Sequence, residues 1–555
     1  MQGSTITSRQ NFIFPVNILN GKSATIVCML LAAACKIILT TAYFSFSHDL
    51  LLQSLAAKSM ADGHGFTIPQ VHAADLSKVV YEPMVGWPPA YSACIIPFYF
   101  LLGKNIELAS LVTTWVFAVL FIPLVFKLLR QLAFPIWLIN ISILIYGLSM
   151  PQYLVVNATT DQPALMCYIL AISLLLTFLK VENSNSTRGI AIGVCSALGV
   201  WFRFMYLPAS FLLPCFLIWN SYTKKDARIK HAGFYALLAN LIVVGVLLIF
   251  QYVYTGSATY YRPAQKGFFP SNLQSISPFV LTTFMKPQFY IMKLSLWLHL
   301  SYAQSRLIIT ITGLIAALFM TFVFCRYALK TKMNIGTPVQ TFFLAGGLLS
   351  TCCIALLFYL SLTLSSYYSF PSNFNWVYGS EERYFIIPVF CLQVFFMWWL
   401  FMRQPVKHSI LLKLLRVVFV IVITIEWFHG IAVIGNYAAG RDMQHAEAFP
   451  EKEIKTFLKN VSTIASQQQK DIIIGSQTPS VSALAVVTTG KALFNLDEIN
   501  TSPLYCAQPT LFVLVIRERH MPYFKKYIEN NKLQRQGLVG KEYNIFYHYL
   551  AAGVH

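Results

Sequence analysis

The feature that most restricts this chain is the recurrence of apolar segments long enough to cross a hydrocarbon layer about 30 Å thick, beginning with SATIVCMLLAAACKIILTTAYFSF at 23–46. Further segments of this kind fall at 107–128, 132–150, 163–180, 189–205, 206–221, 232–254, 306–328, 340–362, 384–402 and 412–435. Backbone groups in lipid must be satisfied within the segment, so each crossing is expected to be a helix. The fold class that follows is an all-α polytopic membrane protein of about eleven transmembrane helices. The N-terminal stretch MQGSTITSRQNFIFPVNILNGKS is polar, and no small-residue cleavage site follows the first apolar run, so that run is expected to be retained.

The net charge of +20 would suit a nucleic-acid binder, but its distribution argues for topology instead. Of the 41 basic residues 28 precede residue 436, against 11 of the 21 acidic ones. The basic residues cluster at alternate segment ends: Arg9 and Lys22; Lys127 and Arg130; Lys180 and Arg188; Lys224, Lys225, Arg228 and Lys230; Arg326, Lys330 and Lys332; Arg403, Lys407, Lys413 and Arg416. The positive-inside rule makes these ends, and the N-terminus, cytoplasmic in a multi-pass cell (inner) membrane. The segment WPPAYSACIIPFYFLLG at 87–103 would invert every later cluster if it crossed, so it is expected to lie on or dip into the outer face. The loops 47–106, 151–162, 255–305 and 363–383, and the tail, then face outward. Two units are expected: a polytopic unit at 1–435 and a small extracytoplasmic α/β domain at 436–555, where DIIIGS and PTLFVLVI read as strands and RHMPYFKKYIENN as a helix. No Gly-rich phosphate loop follows those strands, which argues against a nucleotide there. Ten of the eleven cysteines lie in apolar segments and none has metal or CxxC spacing, so neither a disulfide framework nor a zinc site is indicated.

Two isolated acids fall at the lip of the membrane on the same side. Asp49 ends the first apolar run in FSFSHDLLLQ, and Asp161 precedes the fourth in NATTDQPAL. Partial desolvation at the lip would make either a better proton acceptor. Asp161 before Pro163 is equally readable as ordinary helix-start chemistry, with Thr159 and Thr160 as alternative caps. Cations gather at the same ends: Arg203 in VWFRFMYLP, Arg262 and Lys266 in YYRPAQKGFF, Arg306, and Arg383 in GSEERYFIIP. Singly these read as snorkelling anchors; together they suit an anionic headgroup whose lipid tail stays in the bilayer. His48 either orients Asp49 or caps the chain's exit. Lys36 and Glu426 are ionisable groups within apolar segments, which by default face protein or a watery cavity. After Asp49 a short amphipathic helix is expected, broken by Gly63 and Gly65.

In this order, an Asp after the first span, the phrase ADGHGF, then WPPAYSACIIPFYFLLG, FKLLRQL, the Asp161 to Pro163 motif, WFRFMYLP and ERYFIIPVF, the sequence resembles the GT-C superfamily of polytopic glycosyltransferases. The nearest branch is that of the protein O-mannosyltransferases and lipid A aminoarabinose transferases. The resemblance covers most of 23–400, and each motif alone is weak. It implies transfer of a sugar from a polyprenyl-phosphate donor to an extracytoplasmic hydroxyl of a glycan, lipid or protein. It further implies Asp49 as general base, Asp161 as a second acid lining the cavity, and Arg203 and Arg383 as stabilisers of the phosphate leaving group. Many relatives carry two adjacent acids in the first loop, whereas His48 precedes Asp49 here. The family divides on metal use, and with no dedicated ligand cluster no metal or cofactor is expected. A transporter or flippase of an amphiphilic substrate stays open beside this reading, as does an assembly protein. No hydropathy repeat or matched pair of broken spans supports transport.

Overall fold

The computed structural model describes residues 19–258 apart from 20, 43, 45–47, 73–74, 149–159 and 182–184; then 268, 297–300 and 304; and 337–550 apart from 364–385, 403–409, 440–450, 468–470, 477–480, 482–483, 487–491, 494–504, 519–520, 531–532 and 540–542. The expected span at 306–328 lies outside them. Each of the other expected spans is a helix: α1 (Lys22–Ala42), α4 (Ile106–Gln131), α5 (Ile136–Leu148), α6 (Asp161–Lys180), α7 (Arg188–Phe202), α8 (Leu207–Ser210) running into α9 (Leu212–Lys224), α10 (Ala227–Thr255), α11 (Pro338–Thr363), α12 (Ile386–Phe401) and α13 (Ile410–Ala438). Among the described residues seven helices are long and apolar enough to cross a membrane, and the chain is a multi-pass membrane protein. The segment expected at the outer face is α3 (Ala90–Leu101), which with 12 residues rises only about 18 Å and carries Pro97 inside it.

The faces of these helices follow from two solvents. Along α1, Cys28, Ala32, Cys35, Lys36 and Leu39 form a buried stripe, while Ile26, Val27, Leu30 and Leu31 turn outward, as a lipid-facing side requires. Lipid offers no hydrophobic drive for helix association, so close approach of small residues has to supply it. Gly189 and Gly193 on α7 meet Ala232 and Ala236 on α10 so closely that a Cβ at either glycine would lie 2.0 Å from an alanine carbonyl oxygen. Asn240 of α10 closes the contact by donating to the carbonyls of Gly193 and Ser210, at 3.3 and 3.1 Å. α10 begins five residues before the expected span, because the Asp226 side chain accepts from the backbone N–H groups of Arg228 and Ile229 and caps it.

One end of the bundle carries a second layer. α2 (His48–Ala61) starts at the candidate acid. The expected amphipathic helix proves buried on every side through its first half, Leu50 to Ala57. The chain then forms an antiparallel hairpin, β1 (Thr67–His72) with β2 (Asp75–Pro83), that sequence reading left as loop. The C-terminal region contains α14 (Glu451–Gln467), β3 (Asp471–Ser476), β4 (Ala492–Leu493), β5 (Thr510–Arg517), α15 (Met521–Asn530), β6 (Gln534–Val539) and β7 (Tyr543–Leu550). Its sheet has the order β4-β3-β5-β7-β6, with β3 parallel to β4 and β5, and β7 antiparallel to both β5 and β6. Alternation along β5 gives each face its own core. Phe512, Leu514 and Ile516 pack with Phe524 of α15 and with Val71 and Leu76 of the hairpin. Leu511, Val513 and Val515 belong to a cluster that takes in Ile454 and Leu458 of α14 and continues to Leu50, Leu51 and Leu55 of α2. The Leu76 amide also donates to the Tyr505 carbonyl, at 3.0 Å. The helix that carries Asp49 is thereby packed into the same core as the C-terminal sheet.

Candidate active site

α7 is a short span, and the chain breaks directly after it. Its last residue is Phe202; Arg203 is extended (φ −156°, ψ 117°), and Phe204–Tyr206 form one 3-10 turn before Pro208 enters the first turn of α8. The break turns Arg203 and Tyr206 toward the same point, the first turn of α6.

Arg203 Nε lies 3.0 Å from Asp161 Oδ1, and Nη1 lies 3.8 Å from Asp49 Oδ2. Nη1 also donates to Thr160 Oγ1 at 2.9 Å, and the Tyr206 hydroxyl donates to Asp161 Oδ1 at 3.2 Å. Tyr206 is itself held by Tyr168, whose hydroxyl donates to the Tyr206 carbonyl at 3.0 Å. The Tyr168 ring lies against Gly199, where a Cβ would fall 2.7 Å from it. Asp161, Thr160 and Tyr206 are fully buried, Asp49 and Arg203 nearly so. Ordinary helix-start chemistry therefore does not account for Asp161: Thr160 makes no side-chain cap, and the Asp161 carboxylate turns instead to Arg203 and Tyr206.

The two acids are not equivalent. Asp161 Oδ1 pairs with the Arg203 guanidinium at 3.0 Å and accepts from the Tyr206 hydroxyl, which ties this carboxylate to the broken end of α7. Asp49 Oδ2 lies 3.8 Å from Nη1 of the same guanidinium, at the N-terminus of α2, where the helix dipole favours negative charge. Two carboxylates share this one guanidinium. One turn along α2, Gln53 is fully buried, and its Oε1 accepts from Ser92 Oγ at 2.5 Å.

The structure brings together Asp49, Asp161 and Arg203 from the sequence-derived candidates. The side chains of His48 and Glu426, and all of Arg262, Lys266, Arg306 and Arg383, lie outside the described residues. Tyr206, Tyr168 and Thr160 join the site without having been singled out for it. The one available signal was RFMYLP, an Arg and a Tyr three residues apart just ahead of a proline. Lys36 is fully buried, with Nζ 4.5 Å from the centroid of the Tyr146 ring, and Tyr146 OH in turn accepts from Gln162 Nε2 at 2.9 Å. Among the described residues no three or more His, Cys, Asp or Glu side chains converge as metal ligands.

No protein-family model matches the sequence, and no curated protein is similar to it in sequence. Solved structures are similar in fold. ArnT from Cupriavidus metallidurans bound to undecaprenyl phosphate matches with a TM-score of 0.52 at 9% identity, over 96% of this chain and 100% of that one. The apo state of the same protein matches with a TM-score of 0.50 at 10% identity, again over 96% and 100%. Over 96% of its length the fold is thus similar to that of ArnT, a lipid A aminoarabinose transferase, as the resemblance of its motifs to the GT-C superfamily implies.

Proposed function

We propose that this chain is an integral-membrane glycosyltransferase that moves a sugar from a polyprenyl-phosphate donor to an acceptor hydroxyl, with the acids and the C-terminal domain at 436–555 on the extracytoplasmic side and the basic segment ends cytoplasmic. The observation that carries the reading is the buried Asp49, Arg203, Asp161 cluster at the lip of the helical bundle. Its formal charge sums to one negative, and that excess suits proton abstraction. The fold likeness to a protein bound to undecaprenyl phosphate supports the class of donor.

In this mechanism the acceptor hydroxyl gives its proton to Asp49, and its oxygen attacks the sugar carbon that bears the phosphate. The carbon–oxygen bond to phosphate breaks, and the electron pair leaves with the phosphate, which needs cations and no proton. Asp161, fixed by Tyr206, holds the guanidinium beside Asp49. Arg203 keeps the acids in place and lowers the repulsion between them.

The test is mass spectrometry of glycans, lipids and glycoproteins from a strain lacking the gene, beside the purified full chain supplied with undecaprenyl-phosphate sugars. Loss of one sugar residue, restored by the chain, identifies donor and acceptor together. An unchanged glycan and lipid profile together with no transfer by the purified chain removes the proposal.

A further inference from the structure

Four Asp, Glu, Lys or Arg side chains are buried among the described residues: Asp49, Asp161, Arg203 and Lys36. The mechanism above uses three. Lys36 sits near the middle of α1, where an ammonium has to earn its place, and two observations tie it to the site. Through the Tyr146 ring at 4.5 Å and the Tyr146 to Gln162 hydrogen bond at 2.9 Å, it lies next to the first turn of α6, which carries Asp161. It also lies about 9 Å inward from the end of α1 at Ala42.

Thr40 supplies an independent observation. It is one turn from Lys36 on the same face of α1, 1% exposed, and its hydroxyl has no hydrogen-bond partner. A threonine within a helix usually donates to the carbonyl four residues back, as Thr41 does to Ile37 at 2.7 Å. Tyr146 itself offers only its ring, because its hydroxyl donates to Ala118 O at 3.1 Å while accepting from Gln162. An ammonium and a hydroxyl one turn apart on one helix face are a donor pair suited to phosphate oxygens.

We propose that Lys36 and Thr40 are the phosphate end of the donor site, an assignment that rests on the sugar-transfer reading. As the sugar carbon leaves, the electron pair of the broken bond stays on the phosphate oxygen, and Lys36 faces that growing charge. Arg203 is occupied by two carboxylates and cannot serve both ends of the reaction equally. The cluster would then place base and leaving-group cation on separate elements, α2 and α1.

Binding of undecaprenyl phosphate to the purified full chain, with undecaprenol as the headgroup-free control, tests this. Lys36→Met is expected to weaken undecaprenyl phosphate by about tenfold or more, Lys36→Arg to stay within about threefold of wild type, and undecaprenol to be unaffected. Thr40→Val, which preserves shape, is expected to weaken the phosphate by about threefold to tenfold and stands as the measurement if Lys36→Met does not fold. Unchanged undecaprenyl phosphate affinity in Lys36→Met, or in Thr40→Val where that variant has to stand in, overturns the assignment and leaves the transferase reading intact. Equal affinity of wild type for undecaprenyl phosphate and undecaprenol overturns both.

Discussion

A guanidinium shared by two carboxylates makes Arg203 the residue on which the site's geometry depends most. Its Nε and Nη1 reach different acids from a fixed planar fork, a geometry the compact ammonium of a lysine does not reproduce. Arg203→Lys is expected to fold and to lose transfer activity by about two orders of magnitude, because breaking a buried pair costs about 3–5 kcal/mol and lysine recovers part of it. Steady-state transfer by the purified variant measures this. Tyr206→Phe removes one hydrogen bond to an ionised acid while keeping the ring edge-on to Tyr168 at 5.9 Å, and activity is expected to fall by about tenfold to a hundredfold. Of the residues in this cluster, the two acids and the arginine were legible because an isolated charge beside an apolar run demands an explanation. Tyr206 was not, because a buried tyrosine next to hydrocarbon needs none until the backbone break at Arg203 is seen.

Elements carry two further predictions. Gly193→Ala adds a methyl group where the Ala236 carbonyl already lies 2.0 Å from the Cβ position, so α7 and α10 must separate. A loss of about 1–3 kcal/mol in thermal unfolding is expected. Gly245→Ala, on the same α10 with nothing within 4 Å, should be neutral or stabilising by up to about 1 kcal/mol. In β7, burial lowers the pKa of His548 below its ordinary 6.5. The unfolded chain therefore takes up a proton at this position before the folded one does. The stability of the sheet is full above pH 6.5 and falls as pH drops through the lowered folded value. Hydrogen exchange of β5 and β7 amides in the full chain should quicken over that window, and His548→Gln should flatten the dependence. The spans were legible from apolar length alone, and the β3 and β5 strands from their continuous apolar runs. The β1–β2 hairpin was not, because Val71 and Leu76 acquire their apolar partners only from a sheet more than 390 residues further along the chain.

For the whole molecule, the continuous core from α2 to the C-terminal sheet means that the helix presenting Asp49 depends on residues at the far end of the sequence. Removing 436–555 should leave the membrane helices formed but uncover Leu50, Leu51 and Leu55, so that α2 amides exchange faster and transfer is lost. Retention of wild-type transfer by the truncated chain would show that the C-terminal domain does not support the site. The division into a membrane unit and a C-terminal domain, natural when the chain is read by hydropathy, leaves out this coupling, since hydropathy records what a segment avoids and not what it packs against. The central claim is that Asp49 is the base in sugar transfer, and Asp49→Asn tests it most directly, because the amide keeps the shape and removes the proton acceptor. With the purified full chain and an undecaprenyl-phosphate sugar, the variant is expected to bind the donor lipid as wild type does and to transfer at least about a hundredfold more slowly. Transfer at the wild-type rate by Asp49→Asn would contradict the account.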